Sequence, residues 1–235
     1  MMLNELTMLL EAHPVETSKA DYQASIIDFN VLDKPTESSR IKSCRIITDL
    51  YGLDNNNTLF RILRTLHQHT PESLPQLALT LAFCRDALLR ASSTVIFDTM
   101  PGQTLPRQTM EEHFEMLFPE HFSEAMKKSL SQNVNTSWTF AGHLQGRTVK
   151  TKNIAPISPA AATYAMLAAQ LLGFSGSIAL ESPFGKLISN DTTAVAHALI
   201  DANTQNLCDF RTSGGVTEIR FPQLLTDQEI ELIHA

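Results

Sequence analysis

The chain has 235 residues, 43% hydrophobic and 18% charged, which is enough apolar material for one large or two small cores and too much for disorder over most of its length. A formal charge of −7 excludes an indiscriminate, histone-like polycation but leaves room for one basic face. No apolar run is long enough to span a bilayer, the first residues carry an acid where a secretory signal has cations, and Cys44, Cys84 and Cys208 form no motif, so the expectation is a cytoplasmic protein with no membrane partner.

Leu3, Leu6, Leu9 and Leu10 predict a helix over Leu3–Ala12, and Tyr22–Leu32 a short amphipathic piece. Thr36 with Ser39, or Pro35 in a first turn, starts the next helix; Ile41, Cys44, Ile47 and Leu50 follow at helical spacing, and Gly52 stops it. An Asn cap opens a helix over about Leu59–His67. The segment PESLPQLALTLAFCRDALLRAS is apolar on most sides and reads as a central helix, with TVIFDTMPGQTLPRQ as a helix end and turn. Two further helices follow in TMEEHFEML and EHFSEAMKKSLSQNV. Gly146–Pro159, with its Gly, Thr, Asn and two prolines, reads as a junction. Beyond it, Ser158 caps a helix that has Pro159 in its first turn and Gly173 as its stop, and Asp191 caps another that places Ala194, Val195, Ala198 and Leu199 on one face. Alternation on both sides of Ser213-Gly214-Gly215 predicts a β-hairpin over about 208–221.

A helix followed by a hairpin is the pattern of a winged helix, with the helix as reader and the hairpin as wing. The expected fold is therefore mainly α: an acidic N-terminal helical segment (1–33), a helical bundle domain (34–146) and a winged-helix-like domain (147–235) ending in one β-hairpin.

Charge is spread unevenly. Residues 1–33 hold six acids and one lysine, whereas Ala125–Leu180 holds no acid and five cations, Lys127, Lys128, Arg147, Lys150 and Lys152. Inside that stretch lies SWTFAGHLQGRTVKTKN, with the chain's one tryptophan. Here Trp138 and Phe140 are expected in the core, with Arg147, Lys150 and Lys152 facing outward, where glycines permit close approach and cations meet phosphates. A second basic cluster is Arg40, Lys42 and Arg45, with Arg61 and Arg64 one helix later, and Arg211 and Arg220 bracket the hairpin. Each set has two readings: a phosphate-contacting surface or, for the Arg40 cluster, a solvated helix face pairing with the acidic N-terminus, for the tryptophan segment, cations idle at a domain junction, and for the hairpin, a wing that serves protein contacts.

Catalytic chemistry is not visible. The chain has no GxxxxGK[ST], GxGxxG, HExxH, CxxC or GxSxG motif. His67 and His69, two residues apart, do not share a helix face, and Glu111-Glu112-His113 reads as a solvated face. Asp49 and Asp54 would need partners from elsewhere to hold a metal. The expectation is no enzyme, no cofactor and no metal.

Three segments carry a family resemblance: LDKPTESSRIKSCRIITDLYGL, with Thr36, Ser39 and Arg40; SWTFAGHLQGR, with Ser137, Trp138, Gly142, His143 and Gly146; and FRTSGGVTEIRFP. From about Asp33 to its end the chain resembles the BrxA family, small accessory proteins of bacterial BREX phage-exclusion operons. The resemblance implies a mainly helical protein with helix-turn-helix or winged-helix parts, without catalysis, that binds double-stranded DNA and supports phage restriction beside a methyltransferase and a protease or ATPase. The alternative is an adaptor that docks on another defence protein through its acidic N-terminal helix and its wing. A transcriptional regulator is a third reading and lacks a visible dimerisation element.

Overall fold

The structure, a computed structural model, describes residues 1–234. Side-chain chemistry sets where its helices begin. Ser18, Thr36, Asn57, Asp86, Ser123, Ser158, Ser182 and Asp191 each stand one residue ahead of a helix and accept a backbone N–H of its first turn. At Thr36 the cap is reciprocal, because the Ser39 hydroxyl accepts from the Thr36 N–H. The helices in order are α1 (Leu3–Glu11), α2 (Lys19–Ile27), α3 (Glu37–Tyr51), α4 (Thr58–His69), α5 (Leu74–Arg85), α6 (Ala87–Asp98), α7 (Arg107–Leu117), α8 (Glu124–Phe140), α9 (Pro159–Leu171), α10 (Gly176–Glu181), α11 (Pro183–Ile188), α12 (Thr192–Thr204) and α13 (Asp227–His234).

The protein is mainly helical and carries a two-stranded hairpin near its C-terminus. The apolar run expected as one central helix is two, α5 and α6, because Asp86 leaves the helical region (φ −104°, ψ 108°) and caps the second through the N–H groups of Leu88 and Leu89. α8 runs six residues past its expected end at Val134, so the SWTF of the tryptophan motif is helix and not loop. The expected junction contains part of a small sheet: β3 (Lys150–Lys152) lies between β1 (Thr104–Leu105) and β2 (Leu144–Gln145), antiparallel to both. α10, α11 and α13 have no counterpart in the sequence-based expectation; the first two are only six residues long, too short for a periodic signal.

α5 and α9 sit in the middle. Every residue of α9 from Ala160 to Ala169 is buried, and its alanines let neighbouring backbones come close. α9 packs against α4, α5, α11 and α12, and α5 also against α1, α3, α6 and α8. One hydrophobic core runs from Leu3 to Leu224. It includes Leu6, Leu9, Tyr22 and Ile26 of the acidic first 33 residues, and the boundary expected at 146/147 falls in the turn between β2 and β3.

The hairpin consists of β4 (Asp209–Ser213) and β5 (Val216–Arg220), with Ser213 opposite Val216. Gly214 (φ 58°) and Gly215 (φ 82°) form the two-residue loop, and both angles are of the left-handed kind that type I′ turns require. Phe210 and Ile219, an opposed pair, are buried, and the hairpin runs directly after α12 and packs on it.

Candidate nucleic-acid interface

α3 turns Ser43, Cys44, Ile47 and Tyr51 inward, toward α2 and α5. The same helical spacing leaves Lys42 and Arg45, three residues apart, exposed on the outer face, with Ile41 also exposed. Arg40 is half-buried, and its Nε has no hydrogen-bond partner.

The two arginines of α4 do not extend this surface. Arg64 is 3% exposed; its Nη1 donates to the Leu10 carbonyl at 2.9 Å and its Nη2 to the His13 carbonyl at 2.6 Å, and it lies 6.0 Å from the centre of the Tyr22 ring. It closes off one carbonyl in the last turn of α1 and one just beyond the helix, and cannot reach a phosphate outside the protein. Arg61 donates to the Leu224 carbonyl at 3.1 Å and pairs with Glu229 at 2.6 Å, tying α4 to α13.

The acid-free stretch is used mostly internally. Lys127 is buried and pairs with Glu115 at 2.6 Å and with Glu124. Lys150 is half-buried, with its Nζ donating to the Gly146 carbonyl at 2.7 Å across the β2–β3 turn. Lys152, expected to face outward, is 7% exposed. Arg147, at the tip of the turn, is the member of the expected trio that stands free in solvent.

Trp138 is fully buried; its Nε1 donates to the Ser92 hydroxyl at 2.8 Å, and its rings meet Phe97 and His143 edge-on at 5.8 and 5.1 Å. Phe140, expected beside it in the core, is 39% exposed: two residues on along a helix, it points away from Trp138.

The hairpin's outward face is balanced in charge. Register places Asp209 opposite Arg220 and Arg211 opposite Glu218 on one side, and Arg220 bonds Glu218. On α12 the exposed residues include Thr193, His197, Ile200, Asp201 and Asn203, behind the cap Asp191, and the helix carries no Lys or Arg.

Sequence reading missed a cleft of about 220 Å³ where β3 meets the end of α11 and the start of α12, lined among others by His143, Lys152, Lys186, Ser189, Asn190 and Asp191. The clue lies in SWTFAGHLQGRTVKTKN, a lone His and a Lys nine residues apart, but only the pairing of β2 with β3 turns both inward. Burial, with the charge of Lys152 beside it, drives the His143 imidazole down to about 3, so the ring is neutral at ordinary pH.

Among the described residues no group of three or more metal-ligating side chains comes together, and no helix is long and apolar enough to cross a membrane. The chain matches no protein-family model, no curated protein and no solved structure.

Proposed function

We propose that this is a non-catalytic, sequence-tolerant binder of double-stranded DNA that acts as an accessory protein in a bacterial anti-phage system. The observation that carries the reading is that Lys42, Arg45, Arg147 and Arg211 are exposed and make no ion pair or hydrogen bond among the described residues, although the chain as a whole has an excess of acids. Exposed, unpaired cations bind phosphates by releasing counterions and read no bases. α12 with the β4–β5 hairpin has the order of a winged helix, but a helix without cations contributes little to phosphate attraction, so the contact falls to α3 and the β2–β3 turn. The BREX setting, beside a methyltransferase or ATPase, rests on the resemblance of the three segments.

Fluorescence anisotropy with a duplex at low salt tests the reading. Each phosphate contact contributes about 0.9 to the slope of log affinity against log salt, so three contacts give a slope of about −3. Combining Lys42→Glu, Arg45→Glu and Arg147→Glu should abolish binding while leaving the helical circular dichroism intact. Parent-like binding by that variant would defeat the proposal.

A second reading, a protein adaptor without DNA contact, is favoured by one observation: α12 and the hairpin present Asp191, Asp201, Ile200 and Val216, with balanced charge on the hairpin face. A parent protein that shows no salt-dependent duplex binding moves this reading ahead.

A further inference from the structure

The sheet region poses a problem that the DNA reading does not address. Lys152 is 7% exposed and its ammonium has no ion pair and no hydrogen bond among the described residues, yet its atoms line the cleft between β3, α11 and α12. Burying most of a lysine whose charge has no partner is costly, and native proteins normally pair such a head group or leave it in water. Next to it, His143 is 3% exposed, lines the same cleft, and its Nε2 has no hydrogen-bond partner. A buried imidazole nitrogen without a partner, and a lysine whose stem is buried while its ammonium opens on the cleft, therefore border one space.

The rest of the lining narrows what could fill that space. Lys186 brings a second cation from α11, and Ser189 and Asn190 bring polar groups. Asp191 is the one carboxylate in the lining, and it is occupied in accepting the Thr193 N–H that caps α12. Ile154, Ala155 and Ile188 form an apolar wall. Cations on one side and hydrocarbon on the other suit an anion with a small organic body.

We propose that this cleft is a binding site for a small oxyanion, a phosphate or carboxylate carried on a compact organic group, with Lys152 and Lys186 as the cationic partners. The cleft volume of about 220 Å³ is on the scale of a phosphomonoester or small organic acid. The site is independent of the proposed DNA surface, which uses none of these side chains.

The ammonium's own titration agrees with the geometry. Burial lowers it from 10.5 to about 8, so it is still mainly charged at neutral pH and is not already paired with a carboxylate of the protein. His143, Lys186 and Asp191 are the ionisable groups that share the cleft with it.

The test is thermal unfolding of the full chain at pH 7 with increasing phenyl phosphate or inorganic phosphate, against chloride of matched ionic strength. A ligand that binds only the native state raises the midpoint as its concentration passes Kd. The parent should respond to both phosphates, more strongly to phenyl phosphate because of the apolar wall, and Lys152→Met should respond to neither. Methionine removes the charge and keeps the bulk, so this variant should fold. As a check that does not depend on the variant, the side-chain NMR signal of Lys152 in the parent should titrate at higher pH once phenyl phosphate is bound. A parent midpoint that follows only ionic strength, an equal response in Lys152→Met, or an unmoved Lys152 titration would overturn the proposal. Loss of duplex binding in the α3 and Arg147 reversal leaves these readouts unchanged, so the two proposals fail separately.

Discussion

Behind α1, the Arg64 guanidinium is buried and its two Nη atoms donate to the carbonyls of Leu10 and His13, while its Nε has no partner. Under β3, the Lys152 stem is nearly as deeply buried, but its ammonium opens on the cleft and has no hydrogen bond or ion pair in the described protein. Arginine's planar fork suits two fixed carbonyls, whereas a lysine is a point charge whose proton affinity yields to burial. The N-terminal region thus uses its buried cation as a structural tie, and the sheet region leaves one available for a ligand. The cations suited to surface binding, Lys42, Arg45, Arg147 and Arg211, lie outside both arrangements.

The largest expected effect tests whether the sheet region is a rigid frame. Trp138 closes its inner wall, held by Ser92 and edged by Phe97 and His143. Trp138→Ala should cost about 3–5 kcal/mol, the usual range for a large aromatic lost from a core. Chemical denaturation measures it, and an unchanged midpoint would mean that the sheet and its cleft do not depend on this wall.

Next comes the tie itself. Arg64→Ala removes two charge-assisted hydrogen bonds of about 1.5–3 kcal/mol each; with water partly replacing them, the expected loss is about 3 kcal/mol. Arg64→Lys should recover only part of it, because an ammonium does not reproduce the fork. Full recovery by lysine would erase the contrast between the two regions.

These contrasts are only partly legible in the sequence. The caps at Thr36, Ser158 and Asp191, the burial of Trp138 and the turn at Gly214-Gly215 follow from local chemistry, and local chemistry is what a sequence displays. Partnership is not local. Glu115 neutralises Lys127 from twelve positions away, Glu229 reaches Arg61 over a separation of 168, and the carbonyls that hold Arg64 lie more than fifty residues back. A count of cations in an acid-free stretch therefore overstates its outward charge. For Phe140 the reason is simpler: only once α8 is seen to continue through Phe140 do the two aromatics fall on opposite helix faces.

Arg61 sits between the two extremes, half-buried and paired with an acid. Burial pushes the Glu229 carboxyl up, but the Thr226 N–H, the Thr58 and Thr226 hydroxyls and Arg61 outweigh it and hold the group at about 2. Its contribution is therefore present above an unfolded value near 4.5 and is lost as pH falls toward 2. Because the pair is reached by water, the effect should be on the order of 1 kcal/mol. It should appear as lower amide protection factors in α13 below pH 4, with α5 still protected, and Glu229→Gln should show the same loss of protection at pH 7. Protection of α13 that does not change with pH would place the docking of this helix on apolar contacts alone.

The smallest effect concerns Lys152 without a ligand, and its sign separates a buried charge from a solvated one. The native ammonium loses its proton near 8 and the unfolded one near 10.5, so between these values the unfolded chain binds more protons. Stability must then rise with pH across that window, while below pH 8 the cost of burying the charge is fully present. A tenfold loss of proton affinity corresponds to about 1.36 kcal/mol, and water entering through the cleft holds the whole effect to on the order of 1 kcal/mol. The half-buried thiol of Cys84 and the buried thiol of Cys208, pushed up to about 12 and about 11, and the buried phenols of Tyr22 and Tyr51 pull the other way, because their unfolded forms lose protons first. A single pH profile would therefore mix opposite slopes. The difference between the parent and Lys152→Met, both in phosphate-free zwitterionic buffer, cancels what the two proteins share. That difference should favour Lys152→Met at pH 7 and shrink steadily between pH 8 and 10.5. Parallel profiles would show that the ammonium is hydrated as an ordinary surface lysine is, and the contrast with Arg64 would then be one of partners alone, with no stored cost for an anion to relieve.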